Sequence, residues 1–275
     1  MSTASPPINP ELMFALKQLR LGRIAESLPE RLTLARKQDM TFEDLLLLIL
    51  TDEITRRQSA STQLRATTAG LDPSMRLELW DKTAKVSFDK RILAELASLR
   101  FIEAHRHSVI LGSVGVGKTF IASALGYIAC CHGYHVKFIR ADNMLRRLRQ
   151  SRFDNSRETE MTALTSIDLL IVDDFALEAM SKDESKDIYQ LFLERTGRAS
   201  MIVTSNRDTA EWISMFDDML LAQSAVDRFK NSAYDLVIEG ESYRPRQKPK
   251  LQDASPPPAP SPKPRVHPRA RARRR

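Results

Sequence analysis

Apolar residues recur along this chain with two different periods, and the change from one to the other divides it. From Glu11 to Gly70 the spacing is helical: Leu21, Ile24, Leu28 and Leu32 repeat every three or four residues, and Phe42, Leu45, Leu46, Ile49 and Leu50 fall at i, i+3, i+4, i+7 and i+8. Thr41 followed by Asp44 resembles a capping box, and Pro29 fits a first helical turn. Asp52–Arg56 and Glu53–Arg57 are i,i+4 acid-to-base pairs that carry the helix past its apolar stripe. Gly70 predicts a helix stop and Asp72-Pro73 a turn. From His107 onward the texture becomes short apolar runs, Ser108–Leu111, Val136–Ile139, Leu169–Val172, Met201–Thr204 and Leu236–Ile238. Amphipathic stretches alternate with them: Lys118–Cys131, Asp142–Arg152, Lys182–Arg195 and Leu220–Ala233. That alternation predicts an α/β fold with a parallel sheet covered on both faces.

The expected organisation is a helical module over residues 1–75, a lead-in over 76–106, an α/β core over 107–244 and a tail over 245–275. Composition changes the picture mainly at the tail. The chain of 275 residues carries a formal charge of +7, with 42% hydrophobic and 28% charged residues, ordinary for a globular protein. From Pro245 to Arg275, however, ten Lys/Arg face one acid, and nine of the fourteen prolines lie there, leaving the body at −2. Such a segment predicts a disordered arm that seeks phosphate, or a solubilising extension. The longest apolar run, Leu45–Leu50, is far short of the roughly 20 residues that span a bilayer, and the start lacks a secretory signal pattern. The adjacent Cys130 and Cys131 cannot staple a fold, so a reducing, cytoplasmic setting is expected.

The strongest chemical signal is Gly112-Ser113-Val114-Gly115-Val116-Gly117-Lys118-Thr119, a G-x-x-x-x-G-K-T loop between a strand-like and a helical segment. Its backbone N–H groups would cradle phosphates, Lys118 would reach the β- and γ-phosphates of ATP, and the Thr119 hydroxyl would ligate Mg²⁺. Leu169–Asp174 is the matching second element, an apolar strand ending in two acids: Asp173 on the metal side, Asp174 polarising the attacking water. Met201–Asn206 is a third strand, ending in hydroxyls and an amide, groups suited to hold a γ-phosphate oxygen or a water; Asn206 equally suits a helix N-cap or a turn. His105 and His107 lack a supporting ligand cluster for zinc, and Trp80 and Trp212 read as packing residues rather than base-stacking platforms.

With these elements in place, the chain resembles the IstB-like transposition-helper ATPases, relatives of DnaC-type helicase loaders and DnaA within the AAA+ superfamily. The resemblance runs from about Pro10 to Arg246 and rests on LKQLRLGRIAESLPERL, MTFEDLLLLILTDEITRR, GSVGVGKT, LLIVDDF, MIVTSN, AVDRF and GESYRPR. It implies that Arg228, in AVDRF, is an arginine finger given in trans, against the alternative of a surface arginine paired with Asp227 or another acid. It also implies that Arg244, in SYR, makes a sensor-2-like contact. Two departures stand out: the loop has no proline and is followed by Phe120, and Asp174 stands where AAA+ proteins usually have Glu, which implies slow hydrolysis. No C-terminal helical lid of the usual AAA+ size is expected after Arg244.

The resemblance implies an ATPase, forming a homo-oligomer with ATP and Mg²⁺ on double-stranded DNA, that helps an insertion-sequence transposase, with the helical module making DNA and partner contacts. The alternatives are a loader for a replicative helicase and a nucleotide-gated DNA scaffold with negligible hydrolysis.

Overall fold

The computed structural model describes residues 8–247, so nearly all of the basic tail lies outside the described residues. Three helices open the chain: α1 (Pro10–Gln18), α2 (Ile24–Lys37) and α3 (Phe42–Ala69). Local chemistry sets the ends of α3. The Thr41 hydroxyl accepts from the Asp44 N–H at 3.1 Å, and Gly70 closes the helix in a left-handed conformation at φ +77°. At 28 residues α3 is about 42 Å long. Its first half packs on α2 through a small core of Ile24, Leu28 and Ile49. Its second half lies on the α/β core, where Ala66 and Ala69 are buried and Arg65 Nε donates to the Cys130 carbonyl at 2.9 Å. One rod therefore joins module to core.

The helical module departs from its sequence pattern in three places. Of the apolar stripe on α3, Ile49 is buried and Leu45 half-buried, but Phe42, Leu46 and Leu50 are exposed, Phe42 at 93%. A single neighbouring helix covers only one edge of so wide a stripe. Pro29 sits inside α2 rather than in its first turn, at the sixth helical residue. The pairing also shifts: Asp52 takes Arg31 of α2 at 2.6 Å instead of Arg56, and the buried Glu53 takes both Arg56 and Arg57 at 2.7 Å. Hydrogen bonding from Arg56 holds the Glu53 carboxyl down at about 2, against the opposing effect of its burial.

Residues 76–106 are folded onto the core. They supply β1 (Val86–Ser87), α4 (Lys90–Ala97) and α5 (Arg100–Glu103), and Leu96, Leu99, Phe101 and Ile102 are buried there. The core continues with β2 (His107–Gly112), α6 (Lys118–Cys131), β3 (Val136–Arg140), α7 (Ala141–Ser151), α8 (Arg157–Thr165) and β4 (Leu169–Asp173). It closes with α9 (Lys182–Arg195), β5 (Ser200–Ser205), α10 (Thr209–Trp212), α11 (Met219–Asn231) and β6 (Ala233–Gly240). The sheet order is β1-β6-β2-β5-β4-β3, parallel throughout except for β1 against β6. Apolar clusters lie on both faces, as continuous apolar strands require.

Two buried polar groups lock the strand starts. Arg195 is fully buried and donates to the carbonyls of Leu164, Ile167 and Ser200 at 2.6, 2.9 and 2.5 Å; burial brings its pKa down to about 10. His107 is buried against Phe229, with ring centroids 4.9 Å apart, and its Nδ1 accepts from the Met201 N–H at 3.2 Å. Burial lowers the His107 pKa to about 4, so the ring is neutral.

Candidate nucleotide-binding site

The sheet order explains why the three sequence elements meet. β5 lies between β2 and β4, so the loop after β2, the acids at the end of β4 and the residues ending β5 open side by side. This is the edge of a parallel sheet where the strand order turns back and ligands bind. The loop from Gly112 to Gly117 then wraps the start of α6. A Cβ at Gly115 (φ +85°) would lie 2.1 Å from the Ser242 hydroxyl, and one at Gly117 (φ +105°) 2.6 Å from the Trp80 ring. Only glycine satisfies both the backbone and the space. Val116 is buried under the loop, whereas Ser113 and Val114 are exposed.

Lys118 is buried at the centre. Its Nζ donates to the carbonyls of Gly112 at 2.9 Å and Ser113 at 2.8 Å, and to Asn206 Oδ1. Burial lowers its pKa, Asp174 and Asp173 oppose that, and Arg244 adds to it. Asn206 is not a helix cap; Asp208 caps α10 by accepting from the Ala210 N–H at 3.0 Å.

Asp173 accepts from the Thr119 hydroxyl at 3.0 and 3.1 Å and from the Thr204 hydroxyl at 2.6 Å. Burial raises its pKa, the neighbouring Asp174 adds to this, and the two hydroxyls partly offset it. Asp174 is half-buried and adopts φ +56°, a costly conformation for a residue with a Cβ and one found at functional sites. Its N–H donates to Thr204 Oγ1 at 3.0 Å, and its carboxylate stands 3.9 Å from Arg140 at the end of β3.

The segment after β6 crosses the loop. The Tyr243 N–H donates to the Gly115 carbonyl at 2.8 Å, and Arg244 Cγ lies 3.5 Å from the position of a Cβ on Gly115. Asp81 meets Arg246 at 3.4 Å, and the Arg246 N–H donates to the Tyr243 carbonyl at 3.0 Å. Arg244 is thus over the phosphate loop of its own chain. Arg228, in the last turn of α11, is exposed and enters no ion pair among the described residues, with Asp227 or any other acid.

The donor chemistry fits a magnesium nucleotide. A buried cation stands inside the glycine loop, and a hydroxyl and a carboxylate lie together, both hard oxygen donors of the kind Mg²⁺ takes. Lys118, Thr119, Asp173, Asp174, Asn206 and Arg244 converge here, whereas Arg228 touches none of them through an ion pair or side-chain hydrogen bond. Sequence reasoning placed the Thr204 hydroxyl at the strand end but not its bond to Asp173, and it missed Arg140, Asp81 and Tyr243.

Comparison with known proteins agrees with this arrangement. The profile of the family described as IstB-like ATP binding protein matches residues 14–251. The chain belongs to that family. An insertion-sequence ATP-binding protein of Mycobacterium tuberculosis is 33% identical over 88% of this chain and 96% of its own length. The IS21 insertion-sequence ATP-binding protein of Pseudomonas aeruginosa is 32% identical over 87% of this chain and 91% of its own. Among solved structures, DnaI is similar with a TM-score of 0.52 at 21% identity, over 59% of this chain and 90% of that one. Replication initiator DnaA, bound to AMPPCP and single-stranded DNA, is similar with a TM-score of 0.50 at 22% identity, over 62% of this chain and 51% of that one. This IstB-like chain is therefore an ATP-binding protein with an AAA+ fold. No helix among the described residues is long and apolar enough to cross a membrane.

Proposed function

We propose that this IstB-like protein is an ATPase that assembles on double-stranded DNA under nucleotide control and assists the transposase of an insertion sequence. The observation that carries the reading is the convergence on one sheet edge of Lys118, Asn206, Thr119, Asp173 and Asp174, together with relatives described as insertion-sequence ATP-binding proteins.

The residues divide the work. The backbone N–H groups from Ser113 to Thr119 bind the phosphate chain, which the N-terminus of α6 favours electrostatically. Lys118 exchanges its two loop carbonyls for β- and γ-phosphate oxygens and stays tied to Asn206, which orients it. Thr119 and Asp173 would hold Mg²⁺, which would supply positive charge against the phosphate chain. Asp174 accepts a proton from, or orients, the attacking water, with the Thr204 hydroxyl holding its N–H and the Arg140 guanidinium 3.9 Å from its carboxylate. Arg244 adds positive charge over the loop of its own subunit. Arg228 reaches a neighbour's γ-phosphate, where a guanidinium disperses the charge that develops on the equatorial oxygens. Its exposure, and its lack of an acidic partner among the described residues, support that role.

DNA contact draws on two surfaces. One is the arginine-rich tail. The other is a cavity of about 600 Å³ between the end of α3, the edge strand β3 and α7, lined by Lys137, Arg140, Arg146 and Arg147. Cations in such a groove release counterions from phosphates.

The test pairs the protein with an insertion-sequence transposase and with a replicative helicase. ATP-dependent stimulation of transposon joining to a target duplex, with no loading of the helicase onto DNA, is the expected result. Helicase loading without an effect on joining would replace the reading with a loader.

A further inference from the structure

The sequence assigns Trp80 to packing, yet its surroundings set it apart from the other tryptophan. Trp212 is fully buried beneath β5, with Nε1 donating to Ser205 Oγ at 3.2 Å. Trp80 is half-buried, and the edge of its six-membered ring lies against Gly117, the last loop residue before α6. It meets Phe120, one residue past Thr119, edge-on with centroids 5.2 Å apart, and Phe88 edge-on at 6.0 Å. These two contacts fix the orientation of the indole without covering it. Leu79, immediately before it, is 61% exposed. The result is a rigid, partly open aromatic rim beside the phosphate cradle. The residue after Trp80, Asp81, meets Arg246, whose N–H donates to the Tyr243 carbonyl, and the Tyr243 N–H donates to the Gly115 carbonyl, so rim and cradle are fastened to each other.

We propose that Trp80, backed by Phe120, is the platform for the nucleotide base. The inference rests on the reading of the Gly112–Thr119 loop as the phosphate cradle. A nucleotide seated there carries its base one sugar away from the phosphates, and a flat apolar ring needs a π surface or an apolar wall to leave water. Trp80 and Phe120 are aromatic side chains that border the end of the loop and the first turn of α6. Stacking of this kind is tolerant of which base is presented, because every base has a π face. The site therefore takes a nucleoside triphosphate through the face of its base, and the aromatic rim adds affinity that the phosphates alone do not give.

The experiment measures binding of MgATP and of inorganic tripolyphosphate with Mg²⁺, by calorimetry, to the full chain and to Trp80→Ala and Trp80→Phe, alongside tryptophan emission. The expected result is that Trp80→Ala weakens ATP about tenfold while tripolyphosphate binds as in the parent, and that Trp80→Phe keeps ATP within about threefold of the parent. ATP should quench the parent's emission, tripolyphosphate should not, and Trp80→Phe should lose the response to ATP. Equal weakening of both ligands in Trp80→Ala would overturn the proposal, since Trp80 would then act by holding the loop. Unchanged ATP binding in Trp80→Ala would also overturn it. Failure of the parent to bind either ligand would instead remove the cradle reading beneath it, and the platform with it.

Discussion

Lys118, Asp173 and Asp174 were legible in the sequence because each belongs to a short motif whose chemistry is local. The loop needs glycines and a following lysine, and the acids need only to end a buried strand. Thr204 was legible only as a hydroxyl at a strand end; its bond to Asp173, and Arg140 beside Asp174, were not, because sheet neighbours make them: β5 brings Thr204 to Asp173 and β3 brings Arg140 to Asp174. Their place follows from the sheet order, which the alternation of runs does not give. At this scale the two acids separate. Asp173→Ala should weaken Mg²⁺-nucleotide binding, whereas Asp174→Asn should bind ATP normally and lose turnover by about a hundredfold or more. A phosphate-release assay beside a binding isotherm reads both; parental turnover in Asp174→Asn would remove its assigned role. Glu53 makes a separate prediction about stability. Its carboxyl is depressed from the usual 4.5 to about 2, chiefly by the Arg56 hydrogen bonds, so its ionised form stabilises the fold above about 4.5 and that contribution is lost as pH falls toward 2. Glu53→Gln should lower the melting midpoint by about 2–4 °C at pH 7, and the gap from the parent should narrow in acid. A gap that stays constant down to pH 3 would contradict the pairing.

Helix and strand types were readable from period alone, and α6, α9 and the five parallel strands lie where the apolar runs put them, within a few residues. What period does not tell is which face of a helix finds a partner. Phe42, Leu46 and Leu50 share the stripe with Ile49, but α2 covers one side of α3 only. Phe42→Ser should therefore leave the melting midpoint within about 2 °C of the parent, because the ring is already in water. A loss of several degrees would show that the ring is packed in solution. α8 escaped the sequence reading, since its run of polar residues from Arg157 to Glu160 hides an apolar edge of Met161 and Leu164. On α11 the prediction concerns Arg228. Arg228→Ala should bind ATP as the parent does and fail to hydrolyse it when assembled. Mixed with Lys118→Ala, it should regain turnover that neither variant has alone, because an intact loop then meets an intact arginine across a head-to-tail interface. Normal hydrolysis by Arg228→Ala on DNA would refute the assignment.

Across the whole molecule, charge is unevenly spread: ten bases beyond Arg244 against a body at −2. Truncation after Gln247 removes nine of them and keeps the segment that crosses the phosphate loop, so ATP binding should be unchanged. DNA affinity should lose salt dependence. If about half of those bases sit on phosphates, the slope of log affinity against log salt falls by about four. Equal slopes for the full and truncated chains would assign the tail to solubility or to a protein partner. The sequence carried the composition of this tail but no geometry for it.

The central claim is that nucleotide held by Lys118 drives assembly on duplex DNA. Its most direct test is the mass of protein gathered on a defined duplex, read by light scattering with and without ATP, for the parent and for Lys118→Ala at matched folding. The account predicts a large ATP-dependent increase in mass for the parent and none for Lys118→Ala. Assembly that is the same with and without ATP, or that survives in Lys118→Ala, would contradict it.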